Sequence, residues 1–426
     1  MSSQHVALQV LSSQRLWQRL ETLSTFTDPE RPWTRRAFSP RFIASRQWLT
    51  EQMQQAGLSV RIDSGGNLIG RLEGKQPHAK AIMTGSHSDT VFDGGRYDGI
   101  IGVLAGIEVA KALHDSGEQL DHPFEVVDFL SEEPSDFGVS CVGSRAMVGA
   151  LSADMLAQRA PAGGTLAEAI ALVGGAPDKL TVPLYQTGDL HAFVELHIEQ
   201  GPVLERQQIP IGVVTDLVGI RRFRVMVTGQ PDHSGTTPMT HRKDALVGAA
   251  MLIQATYHKA SQMNSDQRYV VSTVGYLSVT PNSSNAVPGK VELMLEIRSN
   301  DAEVLVQYGE QLFAEVQPAL QALGLGLQAE SVSYGKPTQF TPQVVDVIEH
   351  SAKALGYDSL RLPSGAGHDA VYLAAIAPAG MVFIPCLNGR SHCPEEAIKL
   401  DELEAGLKVL MHSILAVDQQ TFPDDR

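Results

Sequence analysis

Four short apolar runs, far apart in the chain, each give way to a histidine or a carboxylate. Lys80–Gly85 leads into Ser86-His87-Ser88-Asp89, and Phe124–Leu130 (FEVVDFL) leads into Ser131-Glu132-Glu133. Ala192–Ile198 (AFVELHI) carries His197 and is followed by Glu199-Gln200-Gly201-Pro202. Met381–Pro385 (MVFIP) precedes a turn and Ser391-His392. Runs this apolar, with helical stretches between them, predict strands of an α/β domain whose sheet is covered on both faces. In such sheets ligands gather in the crevice beyond the carboxyl ends of the strands. His87, Glu132, Glu133, His197 and His392 all occupy that position.

The stretch SHSDTVFDGGRYDGIIG (86–102) puts His87 eleven residues before Asp98. Asp89, two residues after His87, suits the task of holding the imidazole in one tautomer as a metal ligand. Gly94, Gly95, Gly99 and Gly102 let the backbone turn tightly and pass close to an ion. A polar turn at a strand end is the plain alternative for this stretch alone, so a metal site requires ligands from elsewhere. Two histidines at strand ends, a bridging aspartate, a glutamate and a third histidine supply that inventory. It suits two divalent ions sharing one carboxylate, with positions open for water and substrate. Glu132 lies beside Glu133, and neighbouring side chains at a strand end diverge. One can bind metal while the other takes a proton from the reacting water. A solvated loop is the alternative for this acid pair.

At 426 residues the chain exceeds one ordinary core, so two domains, one of them interrupted, are expected. Its 43% apolar content supports globular packing, and its formal charge of -15 argues against a nucleic-acid or anionic-membrane surface. No apolar run reaches the roughly 18 residues a membrane span needs. The N-terminal MSSQHVALQVLSSQRLWQRL lacks the basic-then-apolar pattern of a signal peptide, and its Leu8, Val10, Leu11, Leu16 and Leu20 suit an amphipathic helix. Three cysteines fit a reducing cytoplasm better than a disulfide framework, with buried thiol the expected state. The expectation is a cytoplasmic protein without nucleic-acid or membrane partners.

Residues 1–60 read as helices interrupted by a loop at Asp28–Pro40, with strands next around Val60 and at Asn67–Leu72. Gly99–Leu113 reads as a helix whose Gly102, Ala105, Gly106 and Ala110 permit close packing on a sheet. Met147–Leu172, rich in alanine and leucine, reads as mostly helical. Between about 214 and 330 the texture changes to alternation: Arg222–Gly229, Tyr269–Val279 and Lys290–Arg298 read as half-exposed strands. Helices are predicted at Lys243–Met263 and at Asp301–Leu323, the second capped by Asn300 or Asp301, with a last strand at Leu327–Val332. The order β-α-β-β-α-β is the split βαβ pattern. The expected organisation is a catalytic α/β domain over 1–213 and 333–426, interrupted by an insert at 214–332 that suits dimerisation.

The motifs GSHSDTVFDGGRYDGIIGVLAG, SEE…FG…CVGSRAMVG, ELHIEQGPVLE, VTGQPDHSGTTPM, SGAGHDA and GRSHCPEE resemble those of the hydantoinase/carbamoylase amidohydrolase family. That family belongs to the di-metal aminoacylase and carboxypeptidase-like hydrolases. It includes N-carbamoyl-L-amino acid hydrolase, β-ureidopropionase and allantoate amidohydrolase. The resemblance spans roughly residues 60 to 400, and HIEQGP with GRSH is specific to this branch. It implies a mixed-sheet di-metal hydrolase domain with an inserted ferredoxin-like βαββαβ lid and dimerisation domain.

Carried over residue by residue, the resemblance implies that His87, Asp98 and His197 hold one ion, and Asp98, Glu133 and His392 the other. Zinc is the expected metal, with manganese, cobalt and nickel as alternatives. Glu132 is implied as general base, and a cis peptide is implied after Asp98. Gln200 is implied near the carbamoyl group, and His233 and Asn285 are implied to reach the active site of a partner subunit, His233 stabilising the oxyanion. Arg298 is implied to pair the substrate carboxylate, with His368 lining the same pocket. Each of the last four also has a structural alternative: His233 as a turn residue, Asn285 as a loop cap, Arg298 as a surface strand end, His368 paired with Asp369. Pro134, Asp136 and Glu296 depart from the family's pattern without touching an implied ligand. The implied reaction is hydrolysis of the carbamoyl or ureido C–N bond of a small N-carbamoyl-L-amino acid to amino acid, carbon dioxide and ammonia, in a homodimer. Hydrolysis of allantoate or ureidoglycolate is the alternative.

Overall fold

The structure, a computed structural model, describes residues 4–265 and 268–422. Its strands in chain order are β1 Ser59–Ile62, β2 Leu68–Leu72, β3 Ala81–His87, β4 Phe124–Phe129, β5 Leu190–Ile198, β6 Ile211–Leu217, β7 Gly219–Thr228 and β8 Asp232–His233. They continue with β9 Val270–Thr280, β10 Ala286–Val287, β11 Lys290–Ser299, β12 Gly326–Gly335, β13 Thr338–Gln339, β14 Ser359–Ser364 and β15 Ala379–Ile384.

The fold is mixed α/β. A nine-stranded sheet runs β1-β2-β4-β3-β5-β15-β6-β13, with β14 also paired to β6. Its centre, β4-β3-β5-β15, is parallel, and β2 and β6 flank it antiparallel. β3, β4, β5 and β15 are buried at every residue, as a sheet covered on both faces requires. The helix Ile100–Ser116 packs on β3, β4 and β5. A Cβ at Gly102 would lie 2.5 Å from the Leu196 carbonyl oxygen, so only glycine allows the helix to approach so closely. The helix Leu400–Val417 covers β5 and β15 and buries Leu403, Leu407, Leu410 and Ile414. Burying each such side chain contributes about 1.5–3 kcal/mol.

Two local expectations need correction. The N-terminal amphipathic segment is two helices, Gln4–Val10 and Ser13–Ser24, because the Ser12 hydroxyl accepts the Arg15 N–H and starts a new helix. Met147–Leu172 is not mostly helical; it holds only the short helices Ala153–Leu156 and Leu166–Leu172. Gly149, Gly163 and Gly164 all take positive φ there (73°, 98° and 80°), which no helix continues through.

The chain divides into two compact units. The first comprises Met1–Thr215, Gln339–Leu362 and Gly367–Arg426, and the second Asp216–Thr338 with Pro363–Ala366. The second has its own four-stranded antiparallel sheet, in the order β12-β7-β11-β9. Two helices, Ala245–Met263 and Ala302–Ala322, lie on it, capped by Asp244 and Asp301 through their carboxylates. Val225, Val227, Leu293 and Leu295 alternate inward to pack with Leu252, Tyr308 and Leu312. The outer face of Ala245–Met263 is also apolar: Leu246, Val247, Ile253 and Tyr257 are exposed, the last by 69%. Tyr276 and Leu277 are exposed on the edge strand β9. Among the described residues no helix is long and apolar enough to cross a membrane.

Candidate metal centre

The parallel strands β3, β4, β5 and β15 end on one side of the sheet, and the sequence-predicted ligands are found there. His87 is the last residue of β3, and His197 is the last but one of β5. Glu132 and Glu133 follow β4, while His392 follows β15. Asp98 precedes the helix Ile100–Ser116. Ligand atoms of His87, Asp98 and His197 lie within 4.8 Å of one another, as do those of Asp98, Glu133 and His392. Asp98 is common to both groups. Its Oδ2 is 2.9 Å from His392 Nε2, which is 3.0 Å from Glu133 Oε1, and its Oδ1 is 3.3 Å from His197 Nε2. Glu132 stands apart, with Oε2 3.7 Å from His87 Nε2.

The imidazoles are aimed by their outer nitrogens. His87 Nδ1 donates to the Asp89 backbone carbonyl at 3.0 Å, and His197 Nδ1 to the Ile198 carbonyl at 2.9 Å, leaving both Nε2 atoms facing inward. The Asp89 carboxylate does a different task from the one expected of it. It lies 3.7 Å from His87 Nδ1 and instead accepts the backbone N–H groups of Glu132 and Glu133, both at 3.2 Å. A peptide carbonyl thus fixes the tautomer, and the side chain fastens the β4 loop to the β3 loop.

Backbone conformation serves the same end. Ser131, Gln200 and His392 take φ of 53°, 58° and 56°, a region that strains any residue but glycine by about 1–3 kcal/mol. Gly99 has φ of 68°, and a Cβ there would lie 2.2 Å from His87 Nε2. The implied cis bond after Asp98 is not found. Among the described residues the cis peptide is Thr280–Pro281, and the positive φ of Gly99 turns the chain with a trans bond.

The electrostatics call for a cation. Burial favours a neutral Glu132 and, joined by the nearby Glu133, Asp369 and Asp89 charges, raises its pKa well above the carboxylate range despite His87. Hydrogen bonds to Asp98 and Glu133 push the His392 imidazole up to about 11. A proton here does what a divalent ion does better: it neutralises carboxylates taken out of water. This donor set of imidazoles and carboxylates suits Zn, Mn, Co or Ni.

Other site residues are distributed unevenly. Gln200 Nε2 donates to Asp98 Oδ1 at 3.0 Å, while its buried Oε1 has no hydrogen-bond partner among the described residues. The His368 ring meets that of His197 edge-on at 4.5 Å, and burial holds its pKa well below the ordinary value. In the loop after Glu133, Arg36 donates to the Pro134 carbonyl at 2.7 Å and lies 3.4 Å from Asp136. His233, Asn285 and Arg298 belong to the second unit. His233 pairs with Ala286 across β8 and β10, beside Asn285. Its Nδ1 accepts the N–H groups of Gly235 (3.0 Å) and Thr236 (3.2 Å), placing the ring proton on Nε2. Arg298 donates to Glu296 at 2.7 Å and to the Gly365 carbonyl at 2.8 Å. It sits toward the far end of β11 from Lys290, which pairs with Thr228 beside the His233 turn. Eight residue steps along the strand separate Lys290 from Arg298, about 26 Å at ~3.3 Å per step.

Buried acids also lie near this cluster, inside the quoted motifs but without a role read for them at the site. Glu195 accepts the Ser86 hydroxyl at 2.6 Å, Asp369 the Ser144 hydroxyl at 2.5 Å, and Glu396 the backbone N–H groups of Tyr97 and Asp98. Burial raises Glu195 to about 8 and Asp369 and Glu396 to about 7. A glutamate inside AFVELHI, apolar but for it and His197, was the available signal for Glu195.

Residues 83–416 match the model of peptidase family M20/M25/M40. The chain is 37% identical over 415 residues to the N-carbamoyl-L-amino-acid amidohydrolase of Paenarthrobacter aurescens, covering 97% of this chain and 100% of that one. It is 33% identical over 399 residues to the allantoate amidohydrolase of Escherichia coli, covering 93% and 96%. Among solved structures, a hydantoinase/carbamoylase family amidase from Burkholderia multivorans superposes with a TM-score of 0.90 at 36% identity, over 97% of this chain and 99% of that one. With matched length and shared fold in agreement, the chain belongs to peptidase family M20/M25/M40, on its hydantoinase/carbamoylase side.

Proposed function

We propose that this amidohydrolase cleaves the carbamoyl C–N bond of a small N-carbamoyl-L-amino acid, releasing the amino acid, carbon dioxide and ammonia. One observation carries the reading: Asp98 joins two ligand groups, with Glu132 beside them but outside both. His87, Asp98 and His197 would hold one divalent ion, and Asp98, Glu133 and His392 a second. When bound, such ions polarise the scissile carbonyl and make water a nucleophile at neutral pH. Glu132 takes the proton of the attacking water and delivers it to the departing nitrogen. The unpartnered Gln200 Oε1 accepts an N–H of the carbamoyl group, and His368 lines the pocket.

In this reading the second unit, Asp216–Thr338 with Pro363–Ala366, is the lid and dimerisation domain, and it supplies the remaining contacts. Arg298 pairs the substrate carboxylate with its planar fork of donors. His233, carrying its proton on Nε2, donates to the tetrahedral oxyanion, with Asn285 alongside. One small substrate does not reach both ends of β11, which supports His233 and Asn285 serving the site of a partner subunit. The exposed apolar stripe on Ala245–Met263 and the edge of β9 supply the surface for that homodimer.

Allantoate or ureidoglycolate is the second reading, favoured by the 33% identity to an allantoate amidohydrolase, close to the 37% of the carbamoylase relative. Purified protein assayed on N-carbamoyl amino acids, allantoate, ureidoglycolate and dipeptides separates the two. Ammonia release from the carbamoyl compounds is expected; turnover of allantoate alone would replace the first reading with the second.

A further inference from the structure

We propose that Glu396 is a positioning residue that sets the spacing between Asp98 and His392, on top of the two-ion reading of the site. Glu396 is 1% exposed and uses both carboxylate oxygens. Oε1 accepts the backbone N–H groups of Tyr97 at 2.8 Å and Asp98 at 3.1 Å, and Oε2 accepts the Ser391 hydroxyl at 2.8 Å. One carboxylate therefore grips the amide of one ligand and the immediate neighbour of another. A Cβ at Gly95 would lie 1.9 Å from Glu396 Oε1, so glycine is what lets the loop wrap around the acid.

His392 needs such an anchor more than any other ligand. Its side chain is 46% exposed, whereas those of His87 and His197 are 3% and 1% exposed, so packing does not hold it. Its backbone also takes a positive φ, a conformation that persists only when its surroundings over-determine it. The Glu396 bonds involve no ligand atom, so they remain when Asp98 and His392 turn to an ion. Groups that orient ligands in this way typically change metal affinity by about ten- to hundredfold when removed.

The test titrates the chelator-stripped full-length chain with Co2+ alone, followed by its visible absorption, alongside circular dichroism and thermal melting. The parent protein is expected to take up two equivalents. Glu396→Gln keeps an oxygen for the two backbone N–H groups and an amide to donate to Ser391, and is expected to bind within a few-fold of the parent. Glu396→Ala, and Glu396→Asp, whose shorter side chain does not span both segments, are expected to lose about ten- to hundredfold in affinity for at least one ion. Parent-like affinity in a folded Glu396→Ala, or in Glu396→Asp if the alanine variant does not fold, overturns the proposal, as does a Gln variant as weak as the Ala one. A parent chain that takes up fewer than two equivalents overturns the two-ion reading instead.

Discussion

The parallel centre of the large sheet is buried at every residue, whereas the four-stranded sheet of the second unit leaves apolar side chains in the open. The groups brought together differ in the same sense. In the first unit His87, Asp98 and His197, and Asp98, Glu133 and His392, form two groups whose candidate metal-binding atoms lie within 4.8 Å, with all but His392 buried. In the second, His233 stands at an exposed turn and Arg298 at the opposite end of β11. A cation site needs many charges held close in a dry place, and burial on both faces of a sheet provides that. The proposed substrate contacts need only a few donors of fixed geometry, which an open sheet presents.

Four experiments break or sharpen this contrast. Chelation should have the largest effect, taking ammonia release below detection, with Zn2+ or Mn2+ restoring it; activity that survives exhaustive dialysis against chelator would remove the ions from the mechanism. Glu132→Gln comes next, expected to lower kcat by about 10²–10⁴-fold while metal content, read by elemental analysis, stays at the parent level. His233→Ala should lower kcat by about 10²–10³-fold. If His233 acts across a dimer, mixing inactive Glu132→Gln and His233→Ala subunits should recover about a quarter of parent activity, because half the dimers then carry one intact site. No recovery after verified subunit exchange would confine His233 to its own subunit. The smallest effect on chemistry is expected from Arg298→Ala: KM about tenfold or more higher with kcat little changed, from loss of a charge-assisted carboxylate contact.

What could be read from the chain followed the same divide. Strands buried on both faces announce themselves as unbroken apolar runs, and several candidate metal-binding side chains lie at or just after their ends, so AFVELHI located both β5 and His197. The regular alternation of KVELMLEIR found β11 for the opposite reason, one wet face. Helix interruptions were harder: Ser12 between two amphipathic halves, and the glycines at 149, 163 and 164, act through local φ and capping that composition averages away. Roles played by backbone atoms were out of reach. The sequence offered the Asp89 carboxylate as the orienter of His87, and the carbonyl of the same residue does it. Glu396 stands in GRSHCPEE, but its role was out of reach for a related reason, since two of its three partners are peptide N–H groups from a loop almost three hundred positions away.

β5 and β6 are consecutive in sequence, yet β15 lies between them in the sheet. As the polypeptide emerges in order, both strands are made long before the one that joins them. Until then each carries a row of unsatisfied peptide groups, the kind of edge that recruits neighbouring chains. Closing the gap late also means a long loop must be drawn in, which slows folding. The half-made chain is therefore the form most exposed to aggregation, and the finished one is sealed by a strand made only after all four strands of the second unit's sheet.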